Sequence, residues 1–437
     1  MGEKVLSYTE AAAQVMRYAA ERGRSGSKPV YAELAYACGR ILAEPLHADI
    51  DQPPFARSTR DGFACRAAEA AAYTLLPIAG SSHAGQPPAG PLPPGAAWEI
   101  MTGAPIPSGA DAVVMLEHVE ARDGCIRLLP QRSLEAGANI VQQGEQARAG
   151  EELLPAGAVL GAAQIALAAA CGLPHIPVFP RPRVAIVTTG DELVAVEKAP
   201  GPGQIRNSNA PMLAAMVIAA GGEPWSFPAV ADNATAIANA IRQAALPAAG
   251  ADLLLFSGGV SAGKFDLVEP ALSRAGAQFF FTGVRMQPGK PLVFGEIQHN
   301  PEAQLAGFGD LLRSAGMGAQ RVPLPFFGLP GNPISSAVTF LLFAAPLLSA
   351  MAGCAQHGPH LMPARLKETV HGKNGLTRFL PAHCDFTGLA EDVHEVQTVP
   401  MHGSGDLAAL ARSNCFVVVP EDVEKLKAGS LVQVVPH

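Results

Sequence analysis

The sequence predicts a multidomain chain of mixed α/β and β character. A linker domain carries an inserted β-rich domain, and a central α/β domain has a mostly parallel sheet. A small β-rich domain follows at the C-terminal end. Three observations lead there. From residue 183 to 352 short apolar runs alternate with helical stretches, the rhythm of a parallel sheet. Residues 73–160 and 361–437 instead carry short β-like runs separated by Gly and Pro turns. The 437 residues are enough for about three domains of ~150 residues each.

In order along the chain, residues 7–22 are predicted to be a helix, with Ser7 as N-cap and Glu10 at the capping-box position. A short helix is expected over 32–41. Residues 161–171 form the returning helix of a linker domain made from 1–49 and 150–180, around an insertion at 50–149. In that insertion, strands are expected at 73–78, 98–101, 112–117 and 125–129. The central domain, 181–357, has predicted strands at 184–188, 252–256, 279–284, 291–297 and 326–329. Its helices are expected to follow Asn207-Ser208-Asn209, to span 236–246, to begin at Asp266, and to follow Pro333. The apolar run 337–352 is shorter than the ~20 residues of a membrane span and contains Pro346, so it reads as a buried helix. Residues 298–324 separate two predicted strands, a long connection that could hold a short helix at 305–312. The last domain, 358–437, is expected to have strands at 361–366, 393–399, 416–420 and 431–435, and a short helix at 407–412.

Composition narrows the function. Hydrophobic residues make up 49% and charged residues 16%, the balance of a folded globular chain. A net charge of −7 argues against a nucleic-acid partner. The seven cysteines are an odd count at wide spacing with no CxxC, which fits reduced thiols in the cytoplasm and gives no zinc framework. The N-terminal stretch has early charges and no long apolar core, so it does not read as a signal peptide.

The chemistry is concentrated in the turns. DLLLFSGGVSAGKFD, from Asp252 to Asp266, reads as strand, glycine turn and helix start, a geometry whose free amides and helix dipole favour an anion. It is neither a GxxxxGK[ST] loop nor a GxGxxG fingerprint. TTGDEL, with Glu192, and LPGNP, with Pro330 and Pro333, also follow predicted strands. Three glycine turns at strand carboxyl ends mark one ligand-binding edge. Asp61, in the turn pair Asp61-Gly62, is placed to present a carboxylate from the inserted domain or to shape the turn.

The motifs in order are PPFxxSxxDGFA, IMTGAPIPxGADAVV, TTGDEL, GQIxxSN, SGGVSAGxxD, PGKP, GLPGNP and a late GSG. The set resembles the molybdopterin molybdenumtransferase family over nearly the whole chain; the C-terminal domain of gephyrin is a relative. The resemblance implies a central domain like that of the molybdopterin adenylyltransferases, a C-terminal β-barrel, and an elongated homodimer. The implied substrates are adenylylated molybdopterin and molybdate, and the implied metal is Mg2+ or another divalent cation. Implied partners are the upstream adenylyltransferase and recipient apo-molybdoenzymes, with no membrane. Asp61, Thr102, Glu192, Asp232 and Asp266 match catalytic positions, and Glu192, Asp232 and Asp266 the metal-holding ones. Gly258, Gly259, Ser261, Lys290, Pro330, Pro333, Ser335, Arg378 and Ser404 match positions that bind the pterin or molybdate. A pterin-binding scaffold and a molybdopterin adenylyltransferase are the competing readings. The chain departs from the common NIRxRGED pattern at Val141 and Gln146, with Glu145 as a candidate substitute. It also has Gln287 where relatives often carry Lys.

Overall fold

The computed structural model describes residues 4–22, 28–70, 74–86, 90–245, 250–259, 267–298, 323–355, 358–386 and 393–437. They form two compact units. The first comprises residues 1–30, 39–41 and 178–437; the second comprises 31–38 and 42–177.

The first unit is built on a six-stranded sheet. Its spatial order is Glu223–Ser226, Arg183–Thr188, Leu253–Ser257, Leu324–Leu329, Val293–Ile297 and Ala277–Phe281. The first four strands are parallel, Val293–Ile297 runs against them, and Ala277–Phe281 reverses again, giving the mostly parallel sheet expected. Alternate residues face opposite ways along a strand. Val184, Ile186, Leu253, Leu255, Phe327 and Leu329 therefore share one core with Val15, Tyr18 and Leu347. Ala185, Val187, Leu254, Phe256 and Phe326 face the other core, with Ile237, Ile241 and Leu272. Burial on both faces explains the uninterrupted apolar runs. The first helix, Tyr8–Arg22, starts at the expected capping box: Ser7 N–H donates to Glu10 Oε2 at 2.8 Å and Glu10 N–H to Ser7 Oγ at 3.2 Å.

The apolar run becomes a helix from Pro333 to Met351, long and apolar enough to cross a membrane, but most of it is buried inside the fold. It begins at Pro333, after LPGNP as expected, and continues through Pro346. A proline inside a helix lacks the N–H and crowds the carbonyl four residues back. Here a π-helical turn, Phe340–Ala344, ends two residues before Pro346 and opens the backbone ahead of it.

Residues 279–284, expected as one strand, are two. Ala277–Phe281 stays in the six-stranded sheet, whereas Gly283–Gln287 joins another sheet, where it pairs with Val5–Ser7 and with Thr377–Arg378. That second sheet closes on itself as a five-stranded barrel. Its strands, in order around the barrel, are Thr377–Cys384, Glu395–Thr398, Met362–Leu366, Leu431–Pro436 and Cys415–Val419, with the last pairing back to the first. Thr377–Cys384 was not legible in the sequence, because Pro381 argues against a strand.

The second unit contains a six-stranded sheet ordered Ala112–Met115, Gly62–Cys65, Ala97–Ile100, Leu76–Ser82, Cys125–Leu128 and Val119–Arg122. Gly62 is required there: a Cβ would lie 2.0 Å from the Val114 carbonyl oxygen. The expected helix at 32–41 is absent. Val30–Glu33 is a strand, followed by one 3-10 turn at Leu34–Tyr36, as β-branched and aromatic residues at 30–31 favour. The helix expected at 161–171 is Ala162–Ala170. The 298–324 connection, save its ends, and the possible helix at 305–312 lie outside the described residues.

Candidate active site

Parallel pairing sets Thr188 beside Ser257 and Ser257 beside Leu329, so three strand ends lie side by side. The turns that follow are tied together. Thr189 N–H donates to Ser257 O at 3.0 Å, and Gly258 N–H to Leu329 O at 3.2 Å. Gly258 and Gly259 have φ of +97° and +65°, and a Cβ on Gly258 would sit 2.6 Å from Thr189 O. Only glycine meets both demands. Asn209, at the start of the helix Asn209–Ala219, spans two turns: its Nδ2 donates to Ser257 Oγ at 2.9 Å and to Gly331 O at 2.7 Å. Asn207 Nδ2 donates to Thr188 Oγ1 at 2.8 Å, and its Oδ1 accepts from Ala210 N–H at 3.2 Å, capping that helix.

The barrel contributes a second wall. Asn332 Nδ2 donates to Ser404 Oγ at 2.8 Å, and Ile334 N–H to Ser404 O at 3.0 Å. Arg378 sits opposite Gln287 in register and donates to His371 O. These elements enclose a cleft of about 1090 Å³, the scale of a cofactor-sized ligand. Glu192, Asp232, Gly258, Gly259 and Lys290 line it, as do Pro330, Pro333, Ser335, Arg378 and Ser404. Ten of the fourteen residues singled out in the sequence thus converge. Asp61 and Thr102 belong to the other unit, where Thr102 donates to Asp61 Oδ1 from its N–H at 2.6 Å and from its Oγ1 at 2.8 Å. Ser261 and Asp266 lie outside the described residues.

The electrostatics are uneven. Asp232 is pushed above the usual carboxylate range, first by burial and then by the Asp191 charge, with Glu192 adding to it; the Asp191 backbone amide opposes them. Asp232 N–H also donates to Asp191 Oδ1 at 3.0 Å. Asp61 is held below the usual range, chiefly by the Thr102 amide and then by its hydroxyl. Among the described residues no three His, Cys, Asp or Glu side chains form a metal cage. The mutual repulsion felt by Asp232 nevertheless fits a cation bound by one or two carboxylates and completed by substrate phosphates, the usual habit of magnesium.

Comparison with known proteins decides the family. The MoeA N-terminal region (domain I and II) matches residues 6–172, the probable molybdopterin binding domain 185–350, and the MoeA C-terminal region (domain IV) 363–437. The molybdopterin molybdenumtransferase of a Nostoc species is 34% identical over 408 residues, covering 92% of this chain and 87% of its own. The chain belongs to the molybdopterin molybdenumtransferase family. The Haemophilus influenzae molybdopterin molybdenumtransferase is 32% identical over 412 residues, 93% of each chain. Two crystal structures of the molybdopterin biosynthesis MoeA protein from Pyrococcus horikoshii cover 99% of this chain. Their TM-scores are 0.73 and 0.78, at 30% and 27% identity.

Within this molybdenumtransferase family, the departures from pattern have local explanations. Glu145 Oε2 accepts from Gln142 N–H at 2.6 Å, closing its own turn. Gln287 lines the cleft next to Arg378, so a cation remains in register with it. Sequence reasoning missed Arg206, Asn207 and Asn209 as cleft residues. They stand in GQIxxSN, one of the family motifs, of which Asn207-Ser208-Asn209 was read as a helix cap and no residue was assigned to the site.

Proposed function

We propose that the chain transfers molybdenum onto molybdopterin in molybdenum cofactor biosynthesis. In the full reading, adenylylated molybdopterin occupies the cleft, its phosphoanhydride is cleaved, AMP leaves, and the dithiolene receives molybdenum from molybdate. The observation that carries this is the cleft itself: residues of three glycine turns line it together with Lys290, Arg378 and Ser404, in a chain of this family. The Gly258–Gly259 turn lets an anionic ligand approach the backbone closely, and Lys290 and Arg378 offset its charge. Glu192 and Asp232, with Asp266, would hold a divalent ion, which when bound neutralises charge on the group being transferred. Asp61 and Thr102 act in the same reaction on this reading, as do Ser261, Pro330, Pro333 and Ser335 in binding.

The reading extends to a cytoplasmic homodimer supplied by an adenylyltransferase and serving apo-molybdoenzymes. It includes the four-part division at 1–49 with 150–180, 50–149, 181–357 and 358–437. Glu192→Gln and Asp232→Asn are expected to slow AMP release by about tenfold or more with the circular-dichroism spectrum unchanged. Wild-type rates in both variants would remove these carboxylates from the mechanism. Pterin binding without any release of AMP in the unaltered chain would favour the scaffold reading. ATP consumption with free molybdopterin would favour the adenylyltransferase.

A further inference from the structure

The cleft holds a cation that neither the motifs nor the family resemblance assigned. Arg206 ends the short strand Ile205–Arg206, which pairs in parallel with Leu193–Val194 directly after Glu192. Ile205 N–H donates to Glu192 O at 2.9 Å, so the backbone of this strand is fixed to the carboxylate turn. Arg206 Nε donates to Lys198 O at 3.1 Å, which orients the guanidinium. The side chain is exposed, lines the cleft, and shares it with Glu192 and Asp232, yet it forms no ion pair with either. Its two terminal nitrogens accordingly have no protein acceptor among the described residues.

The cations of the cleft are therefore divided. Arg378 is on the barrel strand Thr377–Cys384, Lys290 follows the strand Gly283–Gln287 that pairs with it, and Arg206 is on the short strand paired just after Glu192. An arginine with Nε already bonded keeps two parallel N–H donors for the paired oxygens of one phosphate. Arg206 lines the cleft with those terminal donors uncommitted, so they are available to the oxygens of an anionic ligand seated there.

We propose that Arg206 is a substrate-binding residue that grips the phosphate of the adenylyl group through its terminal nitrogens, leaving molybdate to Lys290 and Arg378. This rests on the transferase reading above for the identity of the ligand. It adds a specific division of the cleft, with nucleotide phosphate on the Glu192 side and oxyanion on the barrel side.

The test is equilibrium binding of AMP by calorimetry to the unaltered chain, Arg206→Ala and Arg206→Lys, alongside steady-state kinetics with adenylylated molybdopterin and molybdate. Arg206→Ala is expected to weaken AMP about tenfold and to raise the KM for adenylylated molybdopterin similarly, with the KM for molybdate unchanged. Arg206→Lys should recover only part of the loss, since an ammonium cannot make the paired contact. A merely structural role would move both substrates' KM values together. AMP affinity within twofold of the unaltered chain in both variants would overturn the proposal while leaving the transferase reading standing. Loss of AMP binding in Arg206→Ala, with no turnover by the unaltered chain, would uphold the phosphate site and sink the transferase.

Discussion

At the scale of single residues, Asp232 makes the sharpest forecast. Its carboxyl is raised by burial, by Asp191 and by Glu192, so folding favours its neutral form. The cost of charging it is fully present above its raised pKa and absent below the ordinary carboxylate value of about 4. Asp232→Asn should therefore raise the melting temperature at pH 7, with the gain shrinking as pH falls toward that value. Magnesium should raise the melting temperature of the unaltered chain more than that of Asp232→Asn, because only the former has the repulsion to relieve. Identical melting curves at pH 7, with and without magnesium, would contradict both statements. Asp61 runs in the opposite sense. Its lowered pKa stabilises above the ordinary carboxylate value, and that contribution is lost as pH falls through the folded value. Replacing Thr102 with Val keeps the backbone bond and deletes the hydroxyl bond, so the Asp61 titration followed by NMR should move part of the way back up. Cysteine chemistry is the other residue-scale result. All seven are free, and burial pushes the Cys65 and Cys415 thiols up to about 12, which makes them poor nucleophiles.

At the scale of elements, the turns and the long helix carry the argument. Gly258 has positive φ and no room for a Cβ, so Gly258→Ala should cost about 1–3 kcal/mol in a urea titration and disturb the Thr189 turn. An unchanged midpoint would mean that the turn is looser than its contacts imply. Leu347 is fully buried in the helix Pro333–Met351, and Leu347→Ala should cost about 2–5 kcal/mol, as a core position does. Much at this scale was legible. The three glycine turns, the capping box at Ser7 and Glu10, and the apolar strands were readable because each is set by local chemistry or by burial on both faces. What was lost was set by distant pairing. The division of 277–287 between two sheets depends on partners at Val5–Ser7 and Thr377–Arg378, far away in sequence. Pro381 hides a strand whose pairing with Cys415–Val419 closes the barrel. Asn209 looked like a cap because its sequence context is that of a cap; its bonds to Ser257 and Gly331 exist only once three strands are side by side.

At the scale of the whole molecule, the first unit alone brings ten of the marked residues to one cleft, from segments as far apart as Glu192 and Ser404. That convergence was foreseeable in outline, since ligands of open parallel sheets sit at strand carboxyl ends. The barrel wall was foreseen only through family resemblance, because nothing local in Arg378 or Ser404 announces a partner across a cleft. The division of labour argued for the cleft has carboxylates and Arg206 at the adenylyl phosphate, and Lys290 and Arg378 at the oxyanion. It implies that neither substrate alone completes the site. The most direct measurement is therefore AMP release from adenylylated molybdopterin by the unaltered chain with magnesium, with and without molybdate. Molybdate-dependent release, with a product that activates an apo-molybdoenzyme, is the predicted result. Binding of the adenylylated pterin with no AMP released in either condition would contradict the account.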